Sequence, residues 1–99
     1  MKETSQKIKP TLRWMIRRDM DAVLAIEEAC FEYRWMNSDF IYCFRQRNCV
    51  LMVAEHADQV IGYMVYELCK SKIRLLNFAV AHPFRRQGIV LYLSYSNEL

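Results

Sequence analysis

Ninety-nine residues, 54% of them hydrophobic and 25% charged, suit one domain able to bury a core, which excludes a largely disordered chain. A formal net charge of +3 permits an anionic partner without requiring one, and is read first as a solvated surface. No apolar stretch approaches the roughly 18 residues of a membrane span, and the N-terminus MKETSQKIKP lacks the apolar heart of a signal peptide, so residues 1–10 are expected as a frayed tail.

Cys30, Cys43, Cys49 and Cys69 form no C-x-x-C pair and each lies in an apolar run, so buried, reduced thiols in a cytoplasmic protein are expected. His56 and His82 have no second ligand at i+2 to i+5, so no metal is expected.

In chain order, Thr11 to Arg17 alternates apolar Leu12, Trp14 and Ile16 with mostly polar neighbours and reads as a strand with one wet face. Asp19 stands where an N-cap should, followed by Met20, Val23, Leu24, Cys30 and Phe31 at helical spacing. A second, shorter helix starts at Ser38, with Asp39 favouring its N-terminus and Phe40 and Phe44 one turn apart. Cys49–Ala54 and Val60–Leu68 are apolar on both side-chain parities, as strands covered on both faces are, and the polar turn EHADQ joins them. After the break KSK, Ile73–Val80 forms a fourth strand antiparallel to the third. A further helix begins after Gly88. With no linker or repeat after Pro10, residues 1–99 form a single unit of the α+β class: strand, helix, helix, three strands and a helix start, with helices covering a mostly antiparallel sheet.

The fourth strand runs into AHPFRRQGIV. A helix N-terminus carries unpaired N–H groups, and a glycine lets a ligand approach the backbone, so Arg85-Arg86-Gln87-Gly88 is a candidate anion site. Taken alone, it reads more often as a solvated turn.

In context, NFAVAHPFRRQGI at the end of a fourth strand resembles the acetyl-coenzyme A loop of the Gcn5-related N-acetyltransferases (GNAT), whose pattern is [R/Q]-x-x-G-x-[G/A] after a strand ending in an apolar-Ala-Val triplet. Tyr33-Arg34-Trp35 with Ser38 and Phe40 is similar to the aromatic-Pro-Trp-Ser stretch of bacterial ribosomal-protein-alanine N-acetyltransferases. The resemblance covers roughly residues 12 to 91 and implies the N-terminal half of the GNAT acyl-CoA N-acyltransferase fold, an α/β sandwich of order β-α-α-β-β-β-(α). It implies that Phe78, Ala79 and Val80 pair with the pantetheine arm of acetyl-CoA, the cosubstrate. It also implies that Arg85, Arg86, Gln87, Gly88, Ile89 and Val90 surround the pyrophosphate, with main-chain N–H groups and an arginine as donors. The second substrate would be an amine, such as the N-terminal α-amine of a ribosomal or other protein.

The sequence departs from the family pattern in three places. Val90 stands where the family has Gly or Ala, and Arg34 replaces the Pro before Trp35. The chain stops eleven residues after Gly88, whereas the family continues for roughly half as much sequence again. The general base and general acid of the ribosomal branch belong to that continuation, so no catalytic residue is carried over and the domain is expected to be incomplete. An open fourth strand is expected to pair with a second copy in a homodimer.

Three functions are weighed. One is an acetyl-CoA-dependent N-acetyltransferase acting on an amine. Another is a catalytically inactive, shortened domain acting only as a dimerising or binding module. The last is a nucleic-acid binder, disfavoured because Tyr63 and Tyr66, three apart, face opposite sides of a strand and offer no stacking platform. Neither nucleic acid nor membrane is expected as a partner. Glu67 is read as an exposed strand-end carboxylate and Asn77 as a buried hydrogen-bonding residue.

Overall fold

A computed structural model describes residues 8–85. Strand β1 (Thr11–Trp14) leads through a 3-10 turn (Arg17–Asp19) into helix α1 (Met20–Cys30), then helix α2 (Asn37–Phe44). Strands β2 (Cys49–His56), β3 (Gln59–Leu68) and β4 (Ile73–Val80) follow, and a second 3-10 turn (His82–Phe84) leaves β4. The sheet order is β1-β2-β3-β4, antiparallel throughout. The expected α+β class, element order and hairpins therefore stand; the helix start after Gly88 lies outside the described residues.

The first strand ends three residues earlier than expected, and its apolar face differs. Trp14 and Ile16 are exposed, whereas Met15 is buried. The cause is Asp19, whose carboxylate accepts the Ile16 N–H at 2.8 Å and two bonds from the Arg13 guanidinium, both 2.8 Å. These bonds fold the chain into a turn directly after β1. Asp19 sits at the N-cap position of α1, but its side chain makes no capping bond there. Arg13 also bridges to Glu55 on β2 at 3.2 Å, so one guanidinium ties β1, the turn and β2 together.

Helix α2 begins at Asn37, one residue earlier than expected, and the Asp39 carboxylate accepts the Met36 N–H at 2.7 Å, satisfying one of the orphan donors of the helix start. Phe40 is fully buried, edge-on to Trp35 at 5.0 Å and to Tyr63 at 5.9 Å. Such pairs add about 0.5–1.5 kcal/mol each to ordinary burial. The β2–β3 connection is tighter than the five-residue EHADQ suggests: His56 pairs with Gln59 across the two-residue turn Ala57-Asp58, whose φ angles are +52° and +63°. Positive φ at both central positions is the twist-compatible hairpin turn, adopted here without glycine.

Ile61–Val65 are buried without a break, as expected for a strand covered on both faces. Val23, Phe40, Val53, Tyr63, Val65 and Ala79 belong to the core between sheet and helices; Ala54, Ile61, Met64 and Val80 form a second cluster, with Tyr66 packed against it. Gly62 lies opposite Val80, where a Cβ would stand 3.0 Å from the Ala79 carbonyl oxygen, so β3 and β4 approach closely at the base of the loop. Of the cysteines only Cys43 is buried; Cys30, Cys49 and Cys69 are half-buried free thiols, a partial correction. Among the described residues no helix is long and apolar enough to cross a membrane, and no metal-ligating cluster forms.

Candidate active site along the free edge of β4

Strand β4 pairs with β3 on one side and, among the described residues, with nothing on the other. The Ala81 N–H bonds to the Ile61 carbonyl at 2.8 Å, which makes Gly62–Val80 and Met64–Phe78 the pairs that do not exchange hydrogen bonds. The main-chain groups of Phe78 and Val80 therefore face away from β3, toward the open edge, and those of Ala79 face Tyr63. Of the expected triplet, two members can pair with a ligand as a further strand would; Ala79 contributes its small side chain to the adjacent wall.

The register of β3 and β4 shifts between Val65 and Tyr66, leaving Leu76 unmatched beside Asn77. Such a bulge bends a strand and re-aims its side chains, and bulges concentrate beside active sites. Two cavities border this stretch. One of about 210 Å³ is lined by Cys30, Phe31, Phe78, Ala79, Val80 and Arg85. The other, about 310 Å³, is lined by Phe31, Leu75, Leu76, Asn77 and Phe78. They share Phe31 and Phe78, and follow one another along β4.

Arg85 is the one expected pyrophosphate residue that the described part contains. Its Nε donates to the Val80 carbonyl at 3.1 Å and its Nη2 to Cys30 Sγ at 2.8 Å, which draws the loop back against the end of α1. Its guanidinium is thus held at the mouth of the smaller cavity. Arg86, Gln87, Gly88, Ile89 and Val90 lie outside the described residues.

Beneath the larger cavity is Glu27, a carboxylate only 1% exposed. It accepts hydrogen bonds from the Trp35 N–H at 2.8 Å, from Asn77 Nδ2 at 2.8 Å and from the Tyr63 hydroxyl. Three donors from three segments satisfy a group that would otherwise be costly to bury. Burial, and then the bond to Glu27, push the Tyr63 phenol well above its ordinary range, so it acts as a donor. Asn77 is hydrogen-bonded as expected, though half-buried, while Glu67 is half-buried and paired with Arg74 at 2.9 Å rather than freely exposed. Glu27 was not singled out from sequence. The available signal was its spacing four residues after Val23 and three before Cys30, a carboxylate on the apolar stripe of α1.

The model of the acetyltransferase (GNAT) family matches residues 20–93, three quarters of the chain. No curated protein sequence gives a significant match. Among solved structures the fold is similar to the ribosomal-protein-S18-alanine N-acetyltransferase from Escherichia coli, with TM-score 0.77, 17% identity, and 89% of this chain and 57% of that one covered. It is also similar to smu.2055 from Streptococcus mutans UA159, with TM-score 0.75, 21% identity, and 87% and 62% covered. A third is Ard1 from Thermoplasma volcanium, with TM-score 0.75, 24% identity, and 92% and 66% covered. The chain spans less than two thirds of the length of these three structures. With the sheet and the helix order in agreement with the family match over residues 20–93, the chain belongs to the acetyltransferase (GNAT) family.

Proposed function

We propose that this chain is an acetyl-CoA-dependent N-acetyltransferase that transfers an acetyl group to an amine, specifically a protein N-terminal α-amine, in the cytoplasm. The observation that carries the proposal is the outward-facing main chain of Phe78 and Val80, flanked by two contiguous cavities and ending at Arg85. Family membership supports acetyl transfer, and similarity to a ribosomal-protein-S18-alanine N-acetyltransferase supports an amine acceptor.

The residues present fit the cosubstrate. The Phe78 N–H and C=O and the Val80 N–H can pair with the amide groups of an extended pantetheine arm. The Val80 carbonyl is held by Arg85. Arg85 through Val90 would receive the pyrophosphate, Arg85 and Arg86 by charge-assisted bonds and Gly88 by leaving the main chain accessible. When bound, acetyl-CoA supplies an activated thioester. An outward N–H of β4 aimed at its carbonyl oxygen would stabilise the negative charge that develops there.

An α-amine has a pKa of about 7.7–8.0, so about a third is neutral and nucleophilic near pH 7.5 without a base. Holding amine and thioester adjacent supplies rate through proximity, whereas an added acid or base contributes typically ~10²- to 10⁴-fold. With the amine attacking the thioester carbonyl, the coenzyme A thiolate leaving and the amine's proton passing to it or to solvent, slow transfer would need no added acid or base once both substrates are held. The test is calorimetry with acetyl-CoA, followed by mass spectrometry of an amine-terminated peptide after incubation. Micromolar binding that weakens at least tenfold in Gly88→Val, with a 42 Da gain on the peptide, is expected. Absence of acetyl-CoA binding would refute the proposal.

A second function rests on the same edge. Ile73 and Leu75 on β4 are 53% and 50% exposed, and an apolar strand edge is a template for pairing with another chain. A β4-to-β4 homodimer, with the domain acting only as a dimerising or binding module, predicts a dimer by light scattering at micromolar concentration with no cosubstrate binding.

A further inference from the structure

We propose that Glu27 is a positioning residue that orients the Asn77 side chain so that its Oδ1 receives the N–H of the acceptor amine in the larger cavity. The proposal rests on the acetyltransferase reading and names, within that site, the residue that recognises the acceptor.

Asn77 is the one polar side chain among the five residues lining the cavity; Phe31, Leu75, Leu76 and Phe78 are apolar. Which way its amide points follows from its neighbour's chemistry. Glu27 Oε1 stands 2.8 Å from Nδ2, and an amide oxygen in that place would set one acceptor against another. The NH₂ group is therefore committed to Glu27 and to the Tyr63 hydroxyl beside it, and Oδ1 is left as the polar atom of the amide that faces neither. No described residue donates to it. The carboxylate itself cannot turn, because Trp35 N–H fixes its second oxygen at 2.8 Å and the Tyr63 hydroxyl shares the first.

The dipole of Asn77 is thus aligned with its positive end on a buried carboxylate, and its negative end is offered elsewhere. Such an acceptor selects a donor, and an amine is the donor that acetyl transfer requires. The cavity volume of about 310 Å³ and its apolar walls suit an amine on a small, uncharged residue, and exclude a long cationic neighbour whose charge would be left unpaired. Its position also suits the chemistry. The shared wall of Phe31 and Phe78 places the acceptor cavity next to the outward N–H of Phe78, and the cavity closed by Arg85 lies beyond it. The bulge at Leu76 turns Asn77 into this arrangement, and Glu27 holds it there.

The experiment uses the full chain and a hexapeptide amide beginning with alanine, either with a free α-amine or N-acetylated. Calorimetry gives the preference for the free amine, and heteronuclear NMR follows the Asn77 side-chain amide. In the wild type, at least a tenfold preference for the free amine and a peptide-dependent shift of the Asn77 amide resonances are expected. Asn77→Leu, of similar volume, should abolish that preference and change the acetyl-CoA dissociation constant less than twofold. Glu27→Gln, which puts an NH₂ group among three donors, should reduce the preference at least threefold while the acetyl-CoA constant again holds. Retention of the preference in Asn77→Leu overturns the Asn77 assignment, and retention in Glu27→Gln overturns the positioning role. Should Asn77→Leu not fold, an unmoved Asn77 amide in the wild type overturns the assignment instead. If acetyl-CoA binds and the peptide leaves Asn77 unmoved, the acceptor assignment fails and the acetyltransferase reading stands; if the peptide moves Asn77 and acetyl-CoA does not bind, the reverse holds.

Discussion

Replacing Tyr63 with Phe removes one oxygen and leaves the ring packed edge-on to Phe40 at 5.9 Å, so the change isolates the hydroxyl's bond to Glu27. That bond joins two side chains, both under 2% exposed and one of them a carboxylate, and hydrogen bonds to charged groups contribute about 1.5–3 kcal/mol. Against a total stability on the order of 5–15 kcal/mol, such a loss is large. A double-mutant cycle with Glu27→Met, similar in length and apolar, separates the bond from its setting. In that background the Tyr63 hydroxyl keeps only the Asn77 amide as a polar neighbour, and removing it should cost little. The coupling between the two positions is then about 2–3 kcal/mol, the upper part of the range for interacting neighbours. Urea denaturation followed by circular dichroism measures each corner, with an unchanged slope showing that the unfolded state is comparable. If Tyr63→Phe costs the same in both backgrounds, the hydroxyl and the carboxylate do not act as a pair and the network assigned to Glu27 is wrong.

The Arg13 bonds hold the Asp19 carboxyl below its ordinary range, with burial opposing them. A depressed carboxyl stabilises the fold above the unfolded pKa near 4 and loses that contribution as pH falls through its folded pKa. Asp19→Asn should therefore be less stable than wild type by about 1–2 kcal/mol at pH 5–7, with the difference shrinking below about pH 4 in thermal melts. Burial, followed by the neighbouring Cys49, pushes the Cys43 thiol up to about 11, so in the native protein at pH 8 it should react with iodoacetamide about 10²-fold more slowly than an ordinary thiol, as peptide mapping would show. Changing Ala57-Asp58 to Asn-Gly suits the positive φ angles of the β2–β3 turn and should raise stability by about 0.5–1 kcal/mol in urea titrations, whereas Ala57→Val should lower it.

Much of this architecture is legible in the chain because it depends on local regularities. Helical spacing from Met20, apolar runs in β2 and β3 and polar breaks between strands give the element order, and the FAVAHPFRRQG segment gives the family. The misplacements occur where one distant partner overrules the local pattern. Alternation from Leu12 to Ile16 favours a longer strand, but Arg13 and Asp19 close a turn across it. The five residues EHADQ between two strands suggest a five-residue hairpin turn, but cross-strand pairing carries the ladder through His56 and Gln59 and leaves two in the turn.

What the sequence by itself determined is the kind of protein: an α+β fold whose loop after the fourth strand resembles the acetyltransferase pattern. Periodicity and motif are properties of neighbouring residues, and they survive without knowledge of contacts. What only the tertiary structure decided is which groups face the site. The hydrogen-bond alternation of β4 turns Phe78 and Val80 outward and Ala79 inward, because each residue in an antiparallel pair points to one edge or the other. The burial of Glu27 beneath Asn77 joins residues 50 positions apart, and no local spacing encodes that meeting; it follows from packing α1 across the sheet.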